Sequence, residues 1–154
     1  MLPPPHRDQS ARRTWPWLAR KTTVRDARWA AARRARQVVR WHASAVAFDL
    51  RDFRVGVEGH AHEWDALGLK WSLGPIHPNY GKAVTSATFE GDRWFAHISV
   101  WETGEADLET VRLADQQTIN KQYELASVVD LETLLGELLR LLRDGEPPPG
   151  AFIP

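Results

Sequence analysis

The chain has 154 residues, 43% of them hydrophobic and 26% charged; this composition predicts one globular domain with tails and excludes a wholly disordered protein. It contains no cysteine, which excludes disulfides, thiolate metal sites and cysteine nucleophiles. No apolar run approaches the roughly 18 residues of a membrane span, and no secretory signal is visible, so we expect an unexported, cytoplasmic protein.

The net charge of zero conceals two oppositely charged regions. Residues 1–47 hold 11 Lys and Arg against 2 Asp, a charge of +9, while residues 48–154 hold 9 Lys and Arg against 18 Asp and Glu, a charge of −9. We therefore divide the chain into a basic arm at 1–47, a body at 48–145 and a proline-rich tail at 146–154. The unlike charges indicate that the arm and the body can each meet a separate partner.

The arm is rich in Arg, Trp and Pro. We expect an extended or disordered segment at its start and a loose helix over residues 24–43, where arginines fall on nearly every face. Because arginines neutralise phosphates and tryptophans stack on bases, the arm is a candidate nucleic-acid contact. Its candidate residues are Arg12, Arg13, Trp15, Trp17, Arg33 and Arg34. A mitochondrial presequence and a reading frame that begins upstream of the true start remain open as alternative explanations.

The body begins with five apolar residues and one histidine that recur at alternating steps of three and four. They are Leu50, Phe53, Val57, His60, Trp64 and Leu67. This spacing predicts one amphipathic helix that ends at Gly68. Gly56 and Gly59 each cost such a helix about 1 kcal/mol relative to Ala, so tertiary packing must supply the difference.

Five segments of strand-like alternation or β-rich composition follow. They are 69–73, 82–90, 93–102, 106–113 and 118–125, with a loop at 74–81. The short connections predict an antiparallel meander, and a Leu-rich helix follows after Ser127. The predicted fold class is α+β: a four- to five-stranded antiparallel meander with an N-terminal and a C-terminal helix packed on one face, plus the basic N-terminal arm.

The sequence carries no recognisable catalytic or metal-binding motif. His60 and His62 are two residues apart on a predicted helix and cannot converge on one ion. His97 and Ser99 share a strand face at a spacing of about 7 Å, which does not make a nucleophile and base pair. There is no GxSxG, no glycine-rich phosphate loop and no HExxH. We therefore predict a protein that is not an enzyme and has no catalytic residue, metal or cofactor.

A tryptophan and four acidic residues surround the predicted turn after the third strand. They are Trp101, Glu102, Glu105, Asp107 and Glu109. One interpretation is a solvated hairpin end. The other is a partner-binding site, in which the acidic patch and its aromatic anchor dock against a basic protein surface.

Several motifs occur in a characteristic order: a helix ending in HEWDALGL, a strand reading I-x-V-W-x-x-G, an acidic strand, a strand ending in Tyr-Glu-Leu, and a Leu-rich helix. The matching residues of the strands are Ile98, Val100, Trp101, Gly104, Tyr123, Glu124 and Leu125. With its motifs in this order, the chain resembles the TriTu-type immunity proteins of bacterial polymorphic toxin systems. The resemblance covers about residues 53–143 and leaves the arm unexplained. It implies a non-catalytic inhibitor that binds and blocks a cognate toxin protein without a cofactor.

Overall fold

The computed structural model describes residues 47–154, which form three helices and six strands. The helices are α1 (Leu50–Gly59), α2 (Ala61–Ala66) and α3 (Val128–Asp144). The strands are β1 (Lys70–Leu73), β2 (His77–Asn79), β3 (Lys82–Glu90), β4 (Trp94–Trp101), β5 (Glu105–Arg112) and β6 (Thr118–Glu124). The predictions for residues 1–46, including the six candidate nucleic-acid residues, lie outside the described residues.

The strands form one antiparallel sheet in the order β1-β3-β4-β5-β6, with β2 also paired to β3. The predicted α+β class, with an antiparallel sheet and helices at both ends, is confirmed. The prediction of an unbroken loop at 74–81 is wrong, because β2 pairs with the first part of β3. Pro78 lies in this short strand, and a proline is tolerated there because β2 is an edge strand that need not donate to a ladder on both sides.

The N-terminal helix differs from the predicted continuous helix, because it is divided into α1 and α2 at His60. The backbone of His60 adopts φ −96° and ψ 13°, directly after Gly59, which has a low helix propensity. The indole Nε1 of Trp64 donates a hydrogen bond of 2.9 Å to the Val57 carbonyl. The apolar stripe survives the break, since Phe53, Val57 and Trp64 are all fully buried.

The core lies between the helices and one face of the sheet. Its largest fully buried side chains include Phe53, Trp64, Phe89, Ile98, Leu108, Leu131, Leu134, Leu135 and Leu138. The ring centroids of Trp64 and Phe89 are 4.7 Å apart, so α2 is packed directly on β3. Each such side chain contributes about 1.5–3 kcal/mol through its burial.

Gly56 allows α1 to approach α3 closely. A Cβ at this position would lie 2.9 Å from Leu131 Cδ2 and 3.3 Å from Leu135 Cδ1. Both leucines are fully buried, so neither can move aside without disturbing the core. This packing offsets the cost of a glycine inside the helix.

A buried carboxylate connects α3 to β6. Glu137 is only 6% exposed, and its Oε2 accepts hydrogen bonds from Lys121 Nζ at 2.7 Å and from the Tyr123 hydroxyl at 2.6 Å. Burial and the neighbouring carboxylate raise the pKa of Tyr123, so its hydroxyl remains a donor. The charge of Glu137 is therefore paired and hydrogen-bonded, which is the condition for burying it without a large penalty.

The C-terminal segment runs back to the outer edge of β6. The backbones of Asn120 and Phe152 exchange hydrogen bonds of 3.0 and 2.7 Å. An edge strand presents unpaired backbone groups to its surroundings. This bridge therefore covers part of the β6 edge.

Gly104 closes the turn between β4 and β5 against the end of β6. Its φ is +87°, in the region that favours glycine, and a Cβ would collide with the carbonyl oxygen of Leu125. Its own carbonyl accepts a hydrogen bond from the Leu125 N–H at 2.6 Å. Both the conformation and the space therefore require glycine at this position.

We predict that Gly104→Ala destabilises the protein far more than Gly81→Ala. Both glycines have positive φ, +87° and +82°, so each substitution costs roughly 1–2 kcal/mol in backbone conformation. Only Gly104 faces a backbone atom; an added Cβ at Gly81 meets nothing within 4 Å. Urea unfolding should give a loss of about 1–2 kcal/mol for Gly81→Ala and at least about 3 kcal/mol for Gly104→Ala. Equal losses would contradict the close approach.

Candidate functional site

Strand β4 divides its side chains between the two faces of the sheet. Trp94, Ala96, Ile98 and Val100 are buried against the helices, whereas Phe95, His97, Ser99 and Trp101 are half-buried on the other side. We call the latter four residues, with their cross-strand neighbours on β3, β5 and β6, the second face of the sheet. Within residues 47–154 none of its residues belongs to the main hydrophobic cluster between the helices and the sheet, although Val84, opposite Trp101, is only 6% exposed.

Four of the five predicted partner-binding residues lie on the second face. Trp101 ends β4, and Glu105, Asp107 and Glu109 alternate along β5. The antiparallel register brings the acidic row alongside the β4 residues, since Asp107 is directly opposite Ser99. The predicted cluster is thus a cross-strand arrangement and not only a neighbourhood in sequence.

Glu102, the fifth predicted residue, lies in the turn. Its backbone N–H donates to the Ala83 carbonyl at 3.0 Å, and its carbonyl accepts from the Phe48 N–H at 2.7 Å. These bonds attach the end of β4 to the start of β3 and to the segment that precedes α1. The backbone of Glu102 therefore helps to hold the turn at the border of the second face.

Glu105 has an ion-pair partner within the domain. Its Oε2 lies 3.1 Å from Lys82 Nζ, and both side chains are partly exposed. Glu124 stands directly opposite Glu105 across the β5–β6 ladder, and like charges in that position weaken strand pairing. Lys82 offsets this repulsion. Because an exposed pair contributes only about 0–1 kcal/mol, a cation of a partner can compete with Lys82 for Glu105.

The side chains of His97 and Ser99 meet, so the expectation from their spacing is wrong. His97 Nε2 lies 3.1 Å from Ser99 Oγ, and Nδ1 lies 3.2 Å from Thr88 Oγ1. A distance of about 7 Å separates the backbone positions of residues 97 and 99. The imidazole of His97 is long enough to span it and reach the Ser99 hydroxyl. Burial lowers the pKa of His97, so the ring is neutral at pH 7, with one nitrogen donating and the other accepting.

A serine bonded to a neutral imidazole is also the beginning of a nucleophilic site. Such a site additionally needs donors for the developing oxyanion and a shape that holds the substrate. His97 and Ser99 lie on a sheet surface, and other residues line both the groove between α1 and α3 and the small cleft at the C-terminal segment. Neither of these two concavities therefore adjoins the His97–Ser99 pair.

Phe95 and Trp101 give this row an aromatic residue at each end. The seam between them is polar and consists of His97, Ser99 and Thr88, joined by hydrogen bonds. Aromatic residues are enriched at protein interfaces, where they act as anchors. The candidate residues predicted from the sequence did not include Phe95, although its position in the alternation of β4 was visible. Thr88 could be placed beside His97 only once the register of β3 against β4 was known.

A family model described as "Immunity protein TriTu" matches residues 63–141, just over half of the 154-residue chain. The chain belongs to this family. The matched span runs from α2 into α3 and includes all six strands, so it contains the whole second face. The resemblance seen in the sequence is confirmed, over a narrower span than 53–143. No curated protein and no solved structure matches the chain significantly.

The strand motif that carried the TriTu resemblance has a structural explanation here. Ile98 and Val100 are fully buried, whereas Trp101 lies on the second face and Gly104 is required by the turn. One short motif thus specifies part of the core, the turn and one aromatic residue of the candidate surface.

His60 lies away from the second face, at the junction of α1 and α2. Its Nε2 is 2.9 Å from Glu132 Oε2, and its Nδ1 is 3.5 Å from Glu63 Oε1. The two carboxylates approach opposite nitrogens of one ring, and His62 is exposed. Within residues 47–154 no group of three or more His, Asp or Glu is arranged to hold a metal, and no helix there is long and apolar enough to cross a membrane.

We predict that His97 makes stability fall at mildly acidic pH. Its pKa in the folded protein lies below the ordinary value of 6.5, so the unfolded chain takes up the proton first. The contribution of His97 is therefore complete above pH 6.5 and is lost as the pH falls toward the folded pKa. Urea unfolding between about pH 5 and 7.5 should show a weaker pH dependence for His97→Gln than for wild type.

The matched control is His62→Gln, which removes an exposed imidazole from α2. A wild-type pH dependence that survives in His97→Gln would contradict the assignment.

Proposed function

We propose that this protein is a non-catalytic immunity protein that binds a cognate bacterial toxin and neutralises it through the second face of the sheet. The observation that carries the proposal is the TriTu family match, whose span includes that entire face. Proteins of this kind protect the cell that makes the toxin. Occupying a surface of the toxin is enough for that role, and no cofactor is needed.

The chemistry of the second face favours a basic toxin surface. The proposed contacts are Trp101, Glu102, Glu105, Asp107 and Glu109, with Phe95 and His97 added by the fold. In this arrangement Trp101 and Phe95 are anchors that bury apolar area. The acidic row on β5 sets orientation, because a misplaced partner would leave carboxylates desolvated without a cation. The charge of −9 on residues 48–154 speeds the encounter with a basic protein.

Binding of nucleic acid through the arm is the alternative function. Its support is the sequence alone: 11 Lys and Arg in residues 1–47, with tryptophans between them. The acidic body disfavours phosphate contact elsewhere in the chain. This alternative predicts salt-sensitive binding of RNA or DNA that disappears when residues 1–47 are removed.

The binding surface can be tested by reversing charge at two positions. We expect Asp107→Lys with Glu109→Lys to weaken the complex with the toxin of the neighbouring gene by about 100-fold or more, as expected for facing charges at an interface. Glu58→Lys with Glu146→Lys is the control, because it changes the net charge equally at exposed positions away from the second face. Calorimetric titration gives both affinities, and circular dichroism checks folding.

Trp101→Ala with Glu105→Lys is an independent variant of the same face, and it should also weaken binding without unfolding the domain. If both of these double variants bind as wild type does, the binding surface lies elsewhere. If toxin-expressing cells die equally with and without this protein, the proposed function itself is wrong.

Stoichiometry separates binding from catalysis. If the protein neutralises by binding, residual toxin activity falls in proportion to the amount added and reaches its end point at stoichiometric addition. Ser99→Ala should then neutralise nearly as well, because it removes only the hydroxyl beside His97. Neutralisation by a small fraction of an equivalent, lost in Ser99→Ala, would instead identify an enzyme that acts on the toxin.

A further inference from the structure

A groove lies between α1 and the first turns of α3. It is open to solvent and has a volume of about 410 Å³, which is within the range of small ligand sites. Its walls include Val55 of α1 and Val128 of α3, which are 66% and 49% exposed. Val129, in the same turn as Val128, is 74% exposed. Single exposed apolar residues are ordinary, but Val55 and Val128 face the same concavity from two different helices, which favours an interaction site.

The two glycines of α1 both line this groove but have different explanations. Gly56 is required by the buried leucines of α3, whereas a Cβ at Gly59 would meet nothing within 4 Å. Packing inside residues 47–154 therefore gives no reason for Gly59, although glycine is a poor helix former. The absence of a side chain at Gly59 leaves this part of the groove unfilled.

The rim of the groove is acidic. Asp52 and Glu132 lie on its two sides, and Glu132 is half-exposed while it contacts His60 at 2.9 Å. Arg51 pairs with Asp49 at 3.1 Å and also lies within electrostatic reach of Asp52, whereas Arg54 donates to the Gly74 carbonyl at 2.6 Å. The rim therefore complements positive charge.

We propose that this groove is a second docking surface, which takes an amphipathic cationic helix of a partner protein. Aliphatic side chains at positions i and i+4 of that helix enter between Val55 and Val128, and its Lys or Arg residues face Asp52 and Glu132. This is the helix-in-groove mode of recognition, in which apolar anchors give affinity and flanking charges give orientation. The groove lies in the helical layer, so the proposal does not depend on toxin binding at the second face.

The test uses the full chain and a synthetic helical peptide of leucine and lysine with its leucines on one face. A peptide of the same composition in scrambled order has the same charge without that face. We expect saturable binding of the first peptide only, measured by calorimetry. Methyl NMR signals of Val55 and Val128 should shift, while the Trp101 indole signal should not.

Two matched pairs of variants locate the binding. Gly59→Leu fills the groove, whereas Gly136→Leu makes the same change at a glycine of α3 that also meets nothing within 4 Å and does not line the groove. We expect at least tenfold weaker peptide binding for the first and less than a twofold change for the second. Asp52→Lys should weaken binding more than Glu58→Lys, which adds the same charge to α1 outside the groove. This second pair keeps the test decisive if Gly59→Leu does not fold.

Three results would overturn the proposal. One is equal affinity of the two peptides, or no saturable binding of either. Another is peptide binding that Gly59→Leu and Asp52→Lys both leave unchanged, or that shifts the NMR signal of the Trp101 indole and not the methyl signals of Val55. The third is self-association of the protein that Gly59→Leu abolishes, because this would assign the groove to a second copy of the chain.

Discussion

The period of two along β4 is the constraint on which both the core and the candidate site depend. Ile98 and Val100 must be buried against the helices, and this requirement sends Ser99 and Trp101 to the second face. A slip of one residue in register would exchange the two sets and expose the core residues. The burial of Ile98 and Val100 in the core therefore also fixes the positions of Ser99 and Trp101 on the second face. Side chains on a strand are also positioned more accurately than side chains on a loop.

The turn after β4 determines which side chains of β5, including its acidic residues, lie on each face of the sheet. The register of β5 depends on where that turn ends, and Gly104 determines this by lying against the backbone of Leu125. With this turn, Ala106 and Leu108 enter the core while Asp107 points to the second face. A turn longer by one residue would bury the carboxylate and expose the leucine. The position of the acidic residues on the second face thus depends on the geometry of one glycine.

Much of this fold could be predicted from local patterns, because alternation and helical spacing record which face of an element is buried. Strand β3 has the predicted bounds of 82–90. Four of the five proposed contacts share one face, and this could be predicted because the period of two is visible in the sequence. The break at His60, the strand at 77–79 and the contact of His97 with Ser99 were missed. Glu137 was missed as well, since its burial depends on Lys121 and Tyr123 in a strand that precedes it by more than ten residues.

Electrostatic attraction alone cannot make such a protein selective. A charge of −9 over residues 48–154 attracts any basic protein, and salt screens that attraction beyond about 8 Å. In the proposed complex, selectivity comes from short-range contacts on the second face, because its parts make different demands on a partner. The imidazole nitrogens of His97 already have hydrogen-bond partners in Ser99 and Thr88 within the sheet. Covering these three uncharged side chains with apolar groups therefore costs little. The carboxylates of β5 are desolvated at a large cost unless cations face them. In that proposed complex the toxin surface therefore needs an apolar centre that fits between Phe95 and Trp101, with positive charge along one side.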